Sequence, residues 1–132
     1  MRALALTVLL AACSSKQAAD HPAEHKEGHD EHGAMAPEVA KFHDVLSPRW
    51  HATKGPQRMK DTCGAVAELR TDADAIAKAK PAGDPAAWTT RTQDLTDAVS
   101  ALDATCQSND ATAFELAFEK VHTSFHAVME AK

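Results

Sequence analysis

Downstream of Pro37 the chain carries apolar residues at alternating steps of three and four, and that spacing restricts it to packed α-helices. Met59, Cys63, Val66, Leu69, Ala73 and Ile76 form one stripe, and Trp88, Thr92, Leu95, Val99, Leu102 and Cys106 form a second. Phe114, Phe118, Val121, Phe125 and Val128 form a third. Each stripe is a helix face that another helix must cover. The absence of Tyr, the scarcity of Ile and the abundance of Ala favour helix over strand on propensity as well. The pattern breaks at Gly55-Pro56, at Lys80-Pro81-Ala82-Gly83-Asp84-Pro85 and at Ser108-Asn109-Asp110. Pro56 and Pro85 suit a first helical position, and Asp84 and Asp110 can cap the amides behind them. Helices are therefore expected over residues 38–53, 56–80, 85–107 and 111–131. Short connections make successive helices antiparallel neighbours, so the expected fold over 37–132 is all-α, an antiparallel up-down-up-down four-helix bundle. Pro48 lies inside the first helix and lacks an amide, which predicts a kink or a restart near Ser47.

Upstream of Pro37 the composition changes. Residues 14–36 hold hardly an aliphatic side chain larger than Ala and are dominated by His, Glu, Asp, Lys and Gly. Such a segment cannot bury enough apolar surface to offset its ordering entropy, so it reads as a disordered tether. Before it, an apolar run that begins just after Arg2 closes on Leu10-Ala11-Ala12-Cys13. The run is too short to span a bilayer, which takes about 20 residues. Leu10-Ala11-Ala12-Cys13 resembles the lipobox of bacterial lipoproteins. That resemblance implies removal of residues 1–12 as a signal peptide and lipidation of Cys13 as the mature N-terminus. Ser14 behind the cysteine implies outer-membrane sorting. The expected organisation is then a signal peptide at 1–12, a lipid-anchored His-rich tether at 13–36 and a folded domain at 37–132. The expected place is the cell envelope, facing the periplasm.

The chain has a formal charge of −5, with Lys and Arg scattered among Asp and Glu. It offers no basic footprint, which excludes nucleic acid as a partner. In an oxidising compartment Cys63 and Cys106 suggest a disulfide. Counting outward from the connection near Gly83, Cys63 faces Leu102, which leaves Cys106 about one turn away. The bond therefore needs a skewed register, since its α-carbons must come within about 7 Å. Two buried free thiols are the alternative.

Chemistry rests on the eight histidines, which fall into two groups. His21, His25, His29 and His32 lie in the tether among Asp20, Glu24, Glu27, Asp30 and Glu31, a mixture of imidazole and carboxylate that suits zinc, nickel or copper. His43, His51, His122 and His126 lie in the folded part. His122 and His126 are one turn apart on the last helix, so both side chains cover one surface. His43 shares a stripe with Val39, Leu46 and Trp50, and an antiparallel first helix brings it opposite the pair. A metal site of His43, His122 and His126 is expected, with Asp44 or Glu119 as a carboxylate partner. His51 lies about 12 Å further along the first helix, outside this cluster unless the break at Pro48 brings it nearer. Half-buried histidines bonded to backbone or carboxylate are the plainer reading.

His122-Thr123-Ser124-Phe125-His126 near the end of a fourth helix resembles the cytochrome c-prime and cytochrome b562 type of bundle, where Cys-x-x-Cys-His attaches haem. The two cysteine positions are occupied here by His122 and Phe125, and only His126 matches. The resemblance implies at most a non-covalent haem, with His126 as one axial ligand and Met59 or Met129 as the other. No glycine-rich phosphate loop, nucleophile elbow or His-Glu-x-x-His sequence is present, so a binding protein is expected and not an enzyme. The leading expectation is a lipid-anchored protein that binds copper or zinc, buffering the ion or handing it to other envelope metal-handling proteins. A haem or electron-transfer bundle is the alternative. A structural lipoprotein that docks another envelope component, with incidental histidines, is the third reading.

If Cys13 is the anchor, Cys13→Ala abolishes both incorporation of radiolabelled fatty acid and co-sedimentation with membranes. Unchanged membrane fractionation of that variant rejects the lipoprotein reading.

Overall fold

The computed structural model describes residues 35–131. The lipobox, Cys13 and the tether histidines His21, His25, His29 and His32 lie outside the described residues. Among the described residues the protein is all-α and bundle-like, with five helices and no strand. They are α1 (Pro37–Trp50), α2 (Pro56–Gly64), α3 (Val66–Lys78), α4 (Pro85–Ser108) and α5 (Ala111–Met129). None is long and apolar enough to cross a membrane.

The punctuation acts as its chemistry dictates. The Asp84 carboxylate accepts the Ala87 amide at 2.7 Å, and Asp110 accepts those of Thr112 and Ala113 at 2.9 and 3.0 Å. Each cap satisfies donors that a helix start leaves without partners. Asn109 ends α4 in the left-handed region at φ 54°, which Asn tolerates because its short side chain bonds locally. Gly55 precedes Pro56 at φ 144°, a conformation that needs glycine.

Two boundaries differ from expectation. The single helix expected over 56–80 is two, because the Ala65 amide bonds the Thr62 carbonyl at 2.9 Å in place of the four-residue partner. The regular pattern resumes with Leu69 to Ala65 at 3.0 Å. Gly64, a poor residue for a helix interior, sits at the break. Periodicity could not reveal it, since the step from Cys63 to Val66 stays on the buried face. Of the kink or restart expected near Ser47, the restart is absent: α1 runs through Pro48 to Trp50. Pro48 and Asp44 are both exposed, so the carbonyl that Pro48 cannot serve lies on the solvent side. Arg49 donates to the Val45 carbonyl at 2.6 Å, and the His51 amide closes the helix on Ser47 at 3.0 Å.

α4 packs between α3 and α5, and α1 lies against α3 and α5. The predicted stripes of the later helices are buried throughout, with Cys63 and Cys106 at their margin. The face of α1 is rotated from its predicted one. Phe42 and Val45 join Val39 and Leu46 in the core, while His43 and Trp50 are only half-buried at its edge. Phe42 is fully buried and stacks on Phe125 at 5.0 Å, and its large apolar area sets the rotation.

Cys63 and Cys106 form a disulfide with α-carbons 5.5 Å apart. The one-turn offset counted from Gly83 is absent. That count treats the connection as symmetrical, whereas Ala79 leaves α3 in an extended conformation and α4 starts only at Pro85. The register therefore shifts by about a turn. Arg70, bonded to Asp103 at 2.7 Å, ties α3 to α4 further along. The bridge joins residues 43 apart, so replacing both cysteines with serine should lower unfolding stability by about 2–4 kcal/mol in a urea titration. Two thiols reactive in the native protein taken directly from cells would contradict the bridge.

Candidate metal centre between α1 and α5

Aromatic contacts define how α1 meets α5. Phe42 stacks on Phe125, His43 lies 6.0 Å from the Phe125 ring, and Trp50 lies 5.5 Å from Phe118 and 3.8 Å from His122. Partners fall in number along α5 as they rise along α1, so the two helices are antiparallel. Between them is a cavity of about 340 Å³. One wall is His43, Leu46, Ser47, Trp50 and His51, and the other is His122, Phe125, His126 and Met129. All four histidines of the folded part thus line one cavity, His51 included. Continuity of α1 through Pro48 carries His51 down to the level of His122, whereas His43 sits at the level of Phe125.

His122 and His126 converge. Their Nε2 atoms are 3.1 Å apart, with rings inclined at 66°. The i, i+4 spacing puts both rings on one helix face, and without a metal one ring N–H donates to the other nitrogen. The Trp50 indole lies flat on His122, 6° from parallel. His122 is half-buried and His126 is exposed, so the pair is shielded on one side and open on the other. His122 titrates below the ordinary imidazole value of 6.5. Burial is the main cause, followed by repulsion from His126 and His51, and Glu119 opposes the shift.

Arg58, which carried no signal in the sequence, supports this arrangement from α2. It is almost fully buried, although arginine is normally a surface residue. Its guanidinium packs on the Trp50 and Phe118 rings at 5.9 and 5.4 Å, donates to the Trp50 carbonyl at 3.2 Å and pairs with Glu115. It holds the indole from behind. Asp44, expected as a carboxylate partner, is exposed and does not line the cavity; Glu119 acts on His122 only through its charge. Met129 lines the cavity, whereas Met59 belongs to the core.

The expected cluster of His43, His122 and His126 is not assembled. Among the described residues no group of three or more His, Cys, Asp or Glu is disposed to hold a metal ion. His43 is set against the Phe125 ring at 6.0 Å, so what converges is a pair of imidazoles with other donors around it. Compared with known proteins, the chain matches no family model, and no curated protein or solved structure is significantly similar to it.

With the His122 pKa held down in the folded state, this ring costs the fold nothing above pH 6.5, and stability falls as the pH drops from 6.5 through the lowered value, because the ring must then take up a charge that burial and its neighbours disfavour. In an NMR titration of the ring protons, Trp50→Ala should raise the His122 pKa by exposing the ring. His126→Ala should raise it less, and Glu119→Gln should lower it further.

Proposed function

We propose that this protein is a cell-envelope lipoprotein that binds a transition-metal ion, copper or zinc, in the cavity between α1 and α5. The observation that carries the reading is the 3.1 Å separation of the His122 and His126 Nε2 atoms. Two donors that share one ion at about 2.0–2.1 Å, in cis positions, lie about 2.9–3.4 Å apart. The pair therefore already has the bite of a chelate, and binding costs little reorganisation. His43 and His51 on the facing wall offer further nitrogen ligands after a side-chain rotation.

The rest of the reading follows the sequence. Lipidation of Cys13 anchors the chain, outer membrane favoured, and the tether histidines His21, His25, His29 and His32 gather ions loosely. The helical domain, an antiparallel four-helix bundle when α2 and α3 count as one broken helix, holds the tighter site. Metal is buffered or passed to other envelope proteins, and no catalysis is involved. Haem fits less well. His126 and Met129 stand one turn apart on one helix and cannot occupy opposite faces of a haem iron, and Met59 does not line the cavity.

Calorimetry tests the site. The full-length chain should bind several ions of copper(II) or zinc(II), and deletion of residues 14–34 should lower that number while leaving one tight site. His122→Ala with His126→Ala should remove that site and the rise in melting temperature that metal causes. A truncated domain that binds no metal at neutral pH would refute the core site.

A further inference from the structure

We propose that the cavity is built for copper in the cuprous state, with the Met129 sulfur as third donor beside His122 and His126 Nε2. This rests on the metal-binding reading above and names the ion. The three residues stand at i, i+4 and i+7 on α5, within about 60° of arc and about 10 Å of helix axis. All three line the same cavity. Met129 is the last residue of the helix, and its three side-chain torsions let the sulfur reach an ion held by the pair without backbone movement.

The donor set selects the ion. Neither a carboxylate nor a thiolate lines the cavity, and the two described cysteines are bound to each other. Zinc favours four ligands drawn from thiolate, imidazole and carboxylate; the convergent pair supplies two, and His43 and His51 would both have to swing in from the facing wall to complete the set, whereas copper(I) needs only Met129 from the same helix. A thioether is a soft donor that selects copper(I). Two imidazoles and one thioether make a complete trigonal set for that ion. The cavity wall favours it as well. Trp50 covers one side of His122 and excludes water there, and desolvation penalises a divalent ion more than a monovalent one.

The full-length chain carrying carbon-13 methyl methionine separates the possible outcomes, because each methionine reports by itself. Anaerobic copper(I), supplied with ascorbate, should shift the Met129 methyl and the His122 and His126 ring resonances together at one equivalent. Zinc(II) should shift the rings and leave the methyl in place. In competition with the chromophoric chelator bicinchoninate, Met129→Leu should weaken the tightest copper(I) site by about tenfold or more, the scale on which even outer partners tune metal affinity. The same substitution should leave zinc(II) affinity unchanged, and Met35→Leu should alter neither. Ring shifts with copper(I) but an unmoved Met129 methyl, or equal loss of copper and zinc in Met129→Leu, would overturn the copper(I) assignment and leave the metal site standing. Ring resonances unmoved by either metal would overturn both.

Discussion

The stack of Phe42 on Phe125 is the contact on which the cavity depends. It buries the largest fully buried side chain of α1 against the C-terminal half of α5 and fixes the rotation of the shorter helix. With Phe42 turned inward, His43 and Trp50 are carried to the rim, and successive turns of α1 bring Ser47 and His51 to the same side. Trp50 then meets both Phe118 and His122. A helix rotated by one residue would bury His43 and expose Phe42, exchanging a chemical surface for a polar core with unsatisfied nitrogens. Packing and chemistry are thus set by one choice of face.

Placement of α2 is the second constraint. Cys63 is held to α4 by the disulfide, and the break at Ala65 lets α2 depart from the line of α3. α2 therefore reaches α1, α4 and α5 at once, and its Arg58 can pass under Trp50 to Glu115. A buried guanidinium is costly to desolvate, and the pairing with Glu115, the Trp50 carbonyl and two ring faces offsets that cost. Its Nε finds no hydrogen-bond partner among the described residues, so the compensation there is incomplete. The disulfide acts on the cavity indirectly, by keeping α2 where Arg58 can brace the indole.

The helices themselves were legible in the sequence because one-sided burial writes itself into the spacing of Leu, Val and Phe, and because Pro56, Pro85, Asp84 and Asp110 have few other uses at their positions. The His122 and His126 pair was legible for the same reason, being local to one helix. The face of α1 was not. Val39, His43, Leu46 and Trp50 make as regular a stripe as Val39, Phe42, Val45 and Leu46, and the difference lies in a partner ring more than 80 residues away. Arg58 and the level of His51 were invisible for the same cause, since both depend on register between helices that the chain does not encode locally. His43 comes to the Phe125 ring instead of the imidazole pair, which the same interhelical packing decides.

The division of exposure within the cavity bears on what a site there can do. His122 and His43 are half-buried, and His126 and His51 face solvent. An ion held by His122 under Trp50 would keep one side open through His126, so a partner's ligand could approach without unfolding any helix. Fully enclosed sites hold their ions until the fold opens, whereas a site at a rim exchanges by replacing one ligand at a time. In the proposed site the rigid wall would supply affinity through preorganisation, and the exposed imidazole would supply the exit. The proposed buffering or transfer role would need both properties at once, and a half-buried and an exposed imidazole stand on adjacent turns of α5.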